Sequence, residues 1–174
     1  MTSPIVLRMR EAYISPPYDP DMRFNYVKNA NGGYQALLAL EKYLHECGLE
    51  QNLIHLVKLR VSQINACAFC IDLHWKDLRA IGESEERCYM LAAWQESALY
   101  SDRERAGLTW AEAVTSLKHG RVSDEVYEEV SKHFDEVGMA NLTFVCAAIN
   151  AWNRLAIPGR APPGKYKSAL KPAG

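Results

Sequence analysis

Cys67-Ala68-Phe69-Cys70-Ile71-Asp72-Leu73-His74 places two thiols three residues apart, with an imidazole four residues after the second. On a helix, positions three and four apart share a face. Cys67, Cys70 and His74 therefore form one stripe, two turns long. A thiol pair beside an imidazole either does redox chemistry or binds zinc. In the redox case one thiolate attacks a peroxide oxygen and becomes a sulfenic acid, and the second thiol condenses with it to a disulfide. Zinc requires tetrahedral sulfur and nitrogen ligands. Cys67, Cys70 and His74, with His55 as a fourth, would lie along a straight stripe without a knuckle glycine and converge poorly on one point. The pattern favours dithiol chemistry.

Thiolate formation needs a cause. A helix N-terminus contributes roughly 0.3–1 kcal/mol at an exposed site, whereas one pKa unit is about 1.4 kcal/mol. A thiol near its usual pKa of about 8.5 would stay mostly protonated. His74, at i+4 from Cys70, can take the proton or stand as a cation beside the thiolate. The spacing thus favours Cys70 as the attacking thiol and Cys67 as the resolving one. Thioredoxin-like motifs attack with their first cysteine, so the reverse order stays open.

The elements that must hold this stripe read as helices. Pro4, Pro16, Pro17 and Pro20 keep the first 20 residues extended, and a short helix is expected around Asp21 to Lys28. Asn29-Ala30-Asn31-Gly32-Gly33 reads as a break. Helical spacing then runs from Tyr34 to Cys47, with Gly48 as its stop, and from Glu50 to Ile64. Asn65-Ala66 turns the chain. A helix opened by Cys67 or Ala68 runs to Ile81 and stops at Gly82, which puts the thiols at its N-terminus. Ser84 caps a helix to about Glu96. Ser101-Asp102-Arg103-Glu104 is a capping box for a helix to His119, Ser123 caps one from Asp124 to about Phe134, and the last runs from Asn141 to Leu155. Pro158 and a Pro/Gly/Lys-rich tail end the ordered domain. No segment shows sustained alternation, so the fold is expected to be all-α, with six to eight helices in a single domain whose ordered core spans about residues 20–157.

Composition fits this reading. The 174 residues are 48% hydrophobic, and 20 basic against 21 acidic side chains leave a net charge of -1. That gives a core without a basic surface for nucleic acid. Neither a signal peptide nor a membrane span is readable, and a cytoplasmic protein is expected. Its five cysteines, an odd number, argue against a disulfide framework. Cys47, Cys88 and Cys146 read as buried small hydrophobes. Trp94, Trp110 and Trp152 read as core or subunit interface. Arg60 and Arg154, on otherwise apolar faces, call for carboxylates such as Glu96, Glu104 or Glu112, and Glu112 could also serve as a base.

Leu56-Val57-Lys58-Leu59-Arg60-Val61-Ser62-Gln63-Ile64-Asn65-Ala66-Cys67-Ala68-Phe69-Cys70-Ile71-Asp72-Leu73-His74 closely resembles the core of the alkylhydroperoxidase D-like group, within the carboxymuconolactone decarboxylase superfamily. Leu91 to Glu96, Glu104 to Ala113 and Ala148 to Leu155 resemble its following helices. The resemblance implies an all-helical fold assembled as trimers or hexamers. It also implies reduction of organic hydroperoxides through the dithiol, with the second cysteine attacking, His74 in a proton relay and no cofactor. A dithiol such as a lipoyl group on a partner protein would be the reductant. The group's core carries a glutamate, the general base, twelve residues before the first cysteine. This chain has His55 there, and a neutral imidazole can accept a proton at physiological pH, which makes His55 a substitute base. Ala66 stands where glycine is common, and Phe69 where some members carry a histidine. The alternative is a thiol–disulfide exchange protein or redox sensor. A lactone decarboxylase-like enzyme does not need the cysteine pair and is disfavoured by it.

Overall fold

The computed structural model describes residues 22–170; the extended arm expected over the first 20 residues lies outside them. Eight α-helices and no strand occur among the described residues: α1 (Tyr26–Asn29), α2 (Asn31–Glu46), α3 (Gln51–Ile64), α4 (Ala68–Ala80), α5 (Glu85–Met90), α6 (Asp102–Ser116), α7 (Asp124–Ser131) and α8 (Glu136–Gly159). Short 3-10 turns follow α5 and α6. The fold is all-α, as the periodicity indicates. None of these helices is long and apolar enough to cross a membrane.

The central helix is α3, packed against α4, α6 and α8. Every residue from Leu53 to Leu59 is buried, and two of them are the polar His55 and Lys58. One face of α3 (Leu53, Val57, Val61) joins a core with Tyr34, Leu38, Val145, Ile149 and Trp152. The opposite face (Leu56, Leu59) joins a second core with Leu78, Leu91, Trp94 and Leu108. Each such side chain contributes about 1.5–3 kcal/mol on burial, so α3 is held from both sides. Whatever α3 carries is fixed in the interior.

The caps form where the sequence places them. Ser84 and Ser123 accept from the third residue on, and the capping box of Ser101 and Glu104 is complete. Four boundaries differ from the sequence reading. The break before α2 narrows to Ala30, and Gly32 and Gly33 lie inside the helix. The Ser84 helix splits at Ala93, whose φ/ψ is non-helical. α6 ends at Ser116, because Leu117 and His119 take left-handed conformations. α8 starts well before Asn141, since the Asp135 carboxylate accepts from the Gly138 N–H at 2.7 Å, and it runs through Pro158 to Gly159.

Beyond α8 the chain returns along α4. Tyr166 is buried there, Gly164 N–H donates to Asp72 at 3.0 Å, and Lys76 Nζ donates to the carbonyls of Gly164 and Tyr166.

Candidate active site

The thiol stripe begins where α3 turns into α4. Ala66 sits at φ +54°, a left-handed conformation that is costly for a residue with a Cβ. This single residue reverses the chain, so that the Cys67 N–H reaches back to the Ser62 carbonyl at 3.0 Å. Cys67 is then the N-cap of α4 in extended conformation, and its carbonyl accepts the first helical bond from Ile71 at 2.9 Å. The turn is pinned to α8. Asn65 Nδ2 donates to the side-chain oxygens of Asn150 and Asn153, at 2.9 and 2.8 Å, and Asn153 Nδ2 donates to Ser62 Oγ at 3.3 Å.

Cys67 is 1% exposed and Cys70 3% exposed, both free thiols. They are linked by a hydrogen bond in which the Cys70 thiol donates. That bond pulls Cys67 below the usual thiol range against the opposing effect of burial, and the Cys70 N–H and the Asn153 side chain add to it. The same bond, followed by burial, holds Cys70 protonated far above the usual range. Of the two thiols, Cys67 is the one drawn toward ionisation. Access runs the other way: a cavity of about 10 Å³, roughly one water's worth, is lined by Cys70, His74, Tyr26, Phe69 and Trp152. Cys67 is not among the residues that line it. Burial, with the nearby thiols adding, pushes the Tyr26 hydroxyl up to about 12.

His74, which lines the cavity, has His55 as its neighbour, with the two rings tilted at 48° to each other. The His55 and His74 rings are 5.8 Å apart, and the Nδ1 of each is buried without a hydrogen-bond partner. His55 is pushed down to about 3, first by burial and then by the Lys58 ammonium. His74 is held well below its ordinary range by the same two causes, with His55 adding. Both rings are neutral at physiological pH. Lys58 forms a buried ion pair with Glu41, whose other oxygen accepts from Trp152 Nε1 at 2.9 Å. Asp77 completes the cluster. Donor atoms of His55, His74 and Asp77 lie within 4.8 Å of one another, the one such group among the described residues that could hold a cation. It contains neither thiol of the zinc set weighed above, and the field of Lys58 opposes a cation.

The structure thus brings Cys67, Cys70 and His74 onto one stripe and sets His55 behind it. Glu112 is elsewhere: it accepts from Arg60 Nε and Trp94 Nε1, both at 2.8 Å. Arg60 thereby finds one of its expected carboxylates. Arg154 is exposed and donates to Asn150 instead. The residues that sequence reading passed over are Glu41, Lys58, Asp77, Tyr166 and Ser168. Asp77 had a signal, since it continues the Cys67–Cys70–His74 stripe at i+3, and Lys58 stands at i+3 from His55. Tyr166 and Ser168, in a Pro/Gly/Lys-rich tail, had none.

Residues 32–113 match the Carboxymuconolactone decarboxylase family. The uncharacterized protein YdfG of Bacillus subtilis (strain 168) is 41% identical over 135 residues, which is 78% of this chain and 92% of YdfG. A crystal structure of a protein of unknown function from Agrobacterium tumefaciens, proposed to be the antioxidant defence protein AhpD, superposes with a TM-score of 0.79 at 40% identity, over 83% of this chain and 99% of that one. An uncharacterized peroxidase-related protein from Ralstonia eutropha JMP134, with an alkylhydroperoxidase AhpD core, shares the fold at a TM-score of 0.71 and 21% identity, over 80% of this chain and 74% of its own. The chain belongs to the carboxymuconolactone decarboxylase family, and its fold is that of the AhpD-like proteins within it.

Proposed function

We propose that this protein is a cysteine-dependent peroxidase that reduces organic hydroperoxides through the Cys67–Cys70 dithiol. The observation that carries the reading is the small cavity lined by both Cys70 and His74, beside a Cys67 thiol already pulled toward its ionised form. The Cys70 thiol passes its proton to Cys67 or to the imidazoles, and the resulting thiolate attacks the outer peroxide oxygen. The O–O bond breaks, Cys70 becomes a sulfenic acid, and the departing alkoxide takes up the relayed proton to leave as an alcohol. Cys67 then displaces water from the sulfenic acid, and the disulfide forms. His74 lines the same cavity as Cys70 and takes part in the proton relay, and His55 extends the proton path beyond it.

Thiols this deeply buried favour a small oxidant over exchange with a disulfide on another protein's surface. The same burial favours a thin dithiol, such as a lipoyl arm on a partner protein, as the group that returns the disulfide to thiols. A cytoplasmic setting, where thiols are kept reduced, suits five free cysteines. Val137, Phe144 and Ile157 leave apolar area exposed on α8, which supports a homo-oligomer, a trimer or hexamer by resemblance. Light scattering would read its size.

The test is stoichiometric. Reduced protein is given one equivalent of an organic hydroperoxide without oxygen, and thiols are followed by time-resolved mass spectrometry. Fast loss of two thiols as a Cys67–Cys70 disulfide, abolished by Cys70→Ser, is expected. Sulfenic acid trapped on Cys67 in the Cys70→Ser protein would reverse the order of the two cysteines. A rate no faster than that of a free thiol would favour the exchange-protein or sensor reading.

A further inference from the structure

We propose that Asn153 of α8 is a further catalytic residue of the dithiol site, its side-chain amide donating to whichever of the two sulfurs carries the negative charge. The inference rests on the dithiol reading above and extends it. A thiolate formed in the interior needs a donor or a cation beside it. Cys67 and Cys70 are both buried. What acts on their ionisation is burial, each other, the Cys70 N–H and the Asn153 side chain, and no cation is among these. The other titratable groups at the cavity are Tyr26 from α1 and His74 from α4, and His74 is held neutral.

The orientation of the Asn153 amide follows from the bonds around it. The Cys146 carbonyl can only accept, and Asn150 Nδ2 donates to it at 2.9 Å. Asn150 Oδ1 is then the oxygen to which Arg154 and Asn65 Nδ2 donate, at 2.8 and 2.9 Å. Asn65 Nδ2 donates in turn to Asn153 Oδ1 at 2.8 Å. With its oxygen taken by Asn65, Asn153 turns its nitrogen toward the end of α3. An amide nitrogen carries two N–H groups. One donates to Ser62 Oγ at 3.3 Å. The other is left for the thiols, and the Asn153 side chain hydrogen-bonds to both Cys67 and Cys70, favouring the ionised form of each. Asn153 is itself fully buried, and its helix neighbours Ile149, Trp152 and Ala156 line the cavity with Cys70. When a proton passes from Cys70 to an ionised Cys67, the charge changes sulfur and stays beside the same donor.

The test reads the thiols without peroxide. The ultraviolet absorbance of thiolate is followed in the reduced protein as pH rises, and the Cys67→Ser/Cys70→Ser protein subtracts the remaining thiols and the tyrosines. Asn153→Ala removes the donor and should raise the midpoint by about one pH unit, which is about tenfold less thiolate below it. Asn153→Asp keeps the size and the oxygen that accepts from Asn65, but sets a carboxylate against the sulfurs, and should raise the midpoint further. A residue that only braces the turn predicts the opposite order, with Asn153→Asp closer to wild type than Asn153→Ala. Ser62→Ala loses a bond of the same network but no donor to sulfur, and should not raise the midpoint. Near-UV circular dichroism checks folding, and should Asn153→Ala fail to fold, Asn153→Asp carries the test alone. Midpoints that coincide with wild type overturn the proposal, as does an Asn153→Asp midpoint below that of Asn153→Ala or a Ser62→Ala midpoint raised as far. If the midpoints move as expected while the wild type does not consume hydroperoxide, the role of Asn153 stands and the peroxidase reading falls. Hydroperoxide consumed by wild type with coincident midpoints gives the reverse.

Discussion

His55 folds as a neutral imidazole, and acid should therefore unfold this protein through it. Its folded pKa is about 3, against about 6.5 in an unfolded chain. Between these values the unfolded chain binds a proton that the folded one does not, so stability falls as pH falls. Integrated from pH 7 to pH 5, the loss is about 2 kcal/mol for His55 alone, a large share of the roughly 5–15 kcal/mol of a typical domain. His74 is shifted in the same direction and adds a loss of the same sign. Asp77 works against both: its pKa is raised on folding, so it contributes stability as pH falls through its folded value. The His55→Gln protein separates these effects. Urea unfolding followed by tryptophan fluorescence would give the stability of each protein at pH 7 and pH 5. Wild type should lose about 2 kcal/mol more than His55→Gln over that interval. An equal loss in both, or a smaller loss in wild type, would refute the reasoning. An equal loss would mean that folding leaves the His55 pKa unshifted, and a smaller one that His55 is an imidazolium paired with Asp77 across their 3.9 Å separation, with its folded pKa above the unfolded one.

Lys58→Ala should cost about 3–5 kcal/mol, because it strands the buried Glu41 carboxylate. Replacing both partners, Lys58→Met with Glu41→Leu, should cost less, and urea melts compare the two. Gly107→Ala would place a Cβ 2.9 Å from Leu53 Cδ1, and the overpacking should cost about 1–3 kcal/mol; Leu53→Val, which lacks that carbon, should recover part of the loss. Ala66→Gly removes left-handed strain of about 1–2 kcal/mol and gives back about 0.4–1 kcal/mol in unfolded-chain entropy. A small net rise in the thermal midpoint is expected, with Cys67–Cys70 alkylation unchanged.

The departure at Ala66 was readable as a difference from the group, and the structure supplies its reason: the residue is left-handed because one residue must reverse the chain between α3 and α4. Capping by Ser84, Ser101 and Ser123 was legible because a cap is a bond to a residue three positions on, which sequence spacing contains. The end of α6 was not. Nothing in Leu117-Lys118-His119 marks two left-handed residues. Pro158 misled for a related reason: at the last turn of α8 a proline can be accommodated, and the helix continues to Gly159. The tail beyond it has a composition that reads as loose, yet Tyr166 is buried against α4, because one aromatic ring with a carboxylate to donate to outweighs its polar neighbours.

The amino-acid sequence by itself determined the helices and the grouping of two thiols and an imidazole at the start of α4. Period, caps and Cys-x-x-Cys-x3-His spacing are local, and a helix turns local spacing into a shared face whatever it packs against. Only the tertiary structure decided which titratable groups meet. His55 meets His74 and Asp77 because α3 crosses α4, Lys58 meets Glu41 because α2 lies beside α3, and Asp77 meets Tyr166, 89 residues away, because the tail folds back. The charge state of each group follows from burial and from neighbours on other elements, and these exist only once the helices are packed.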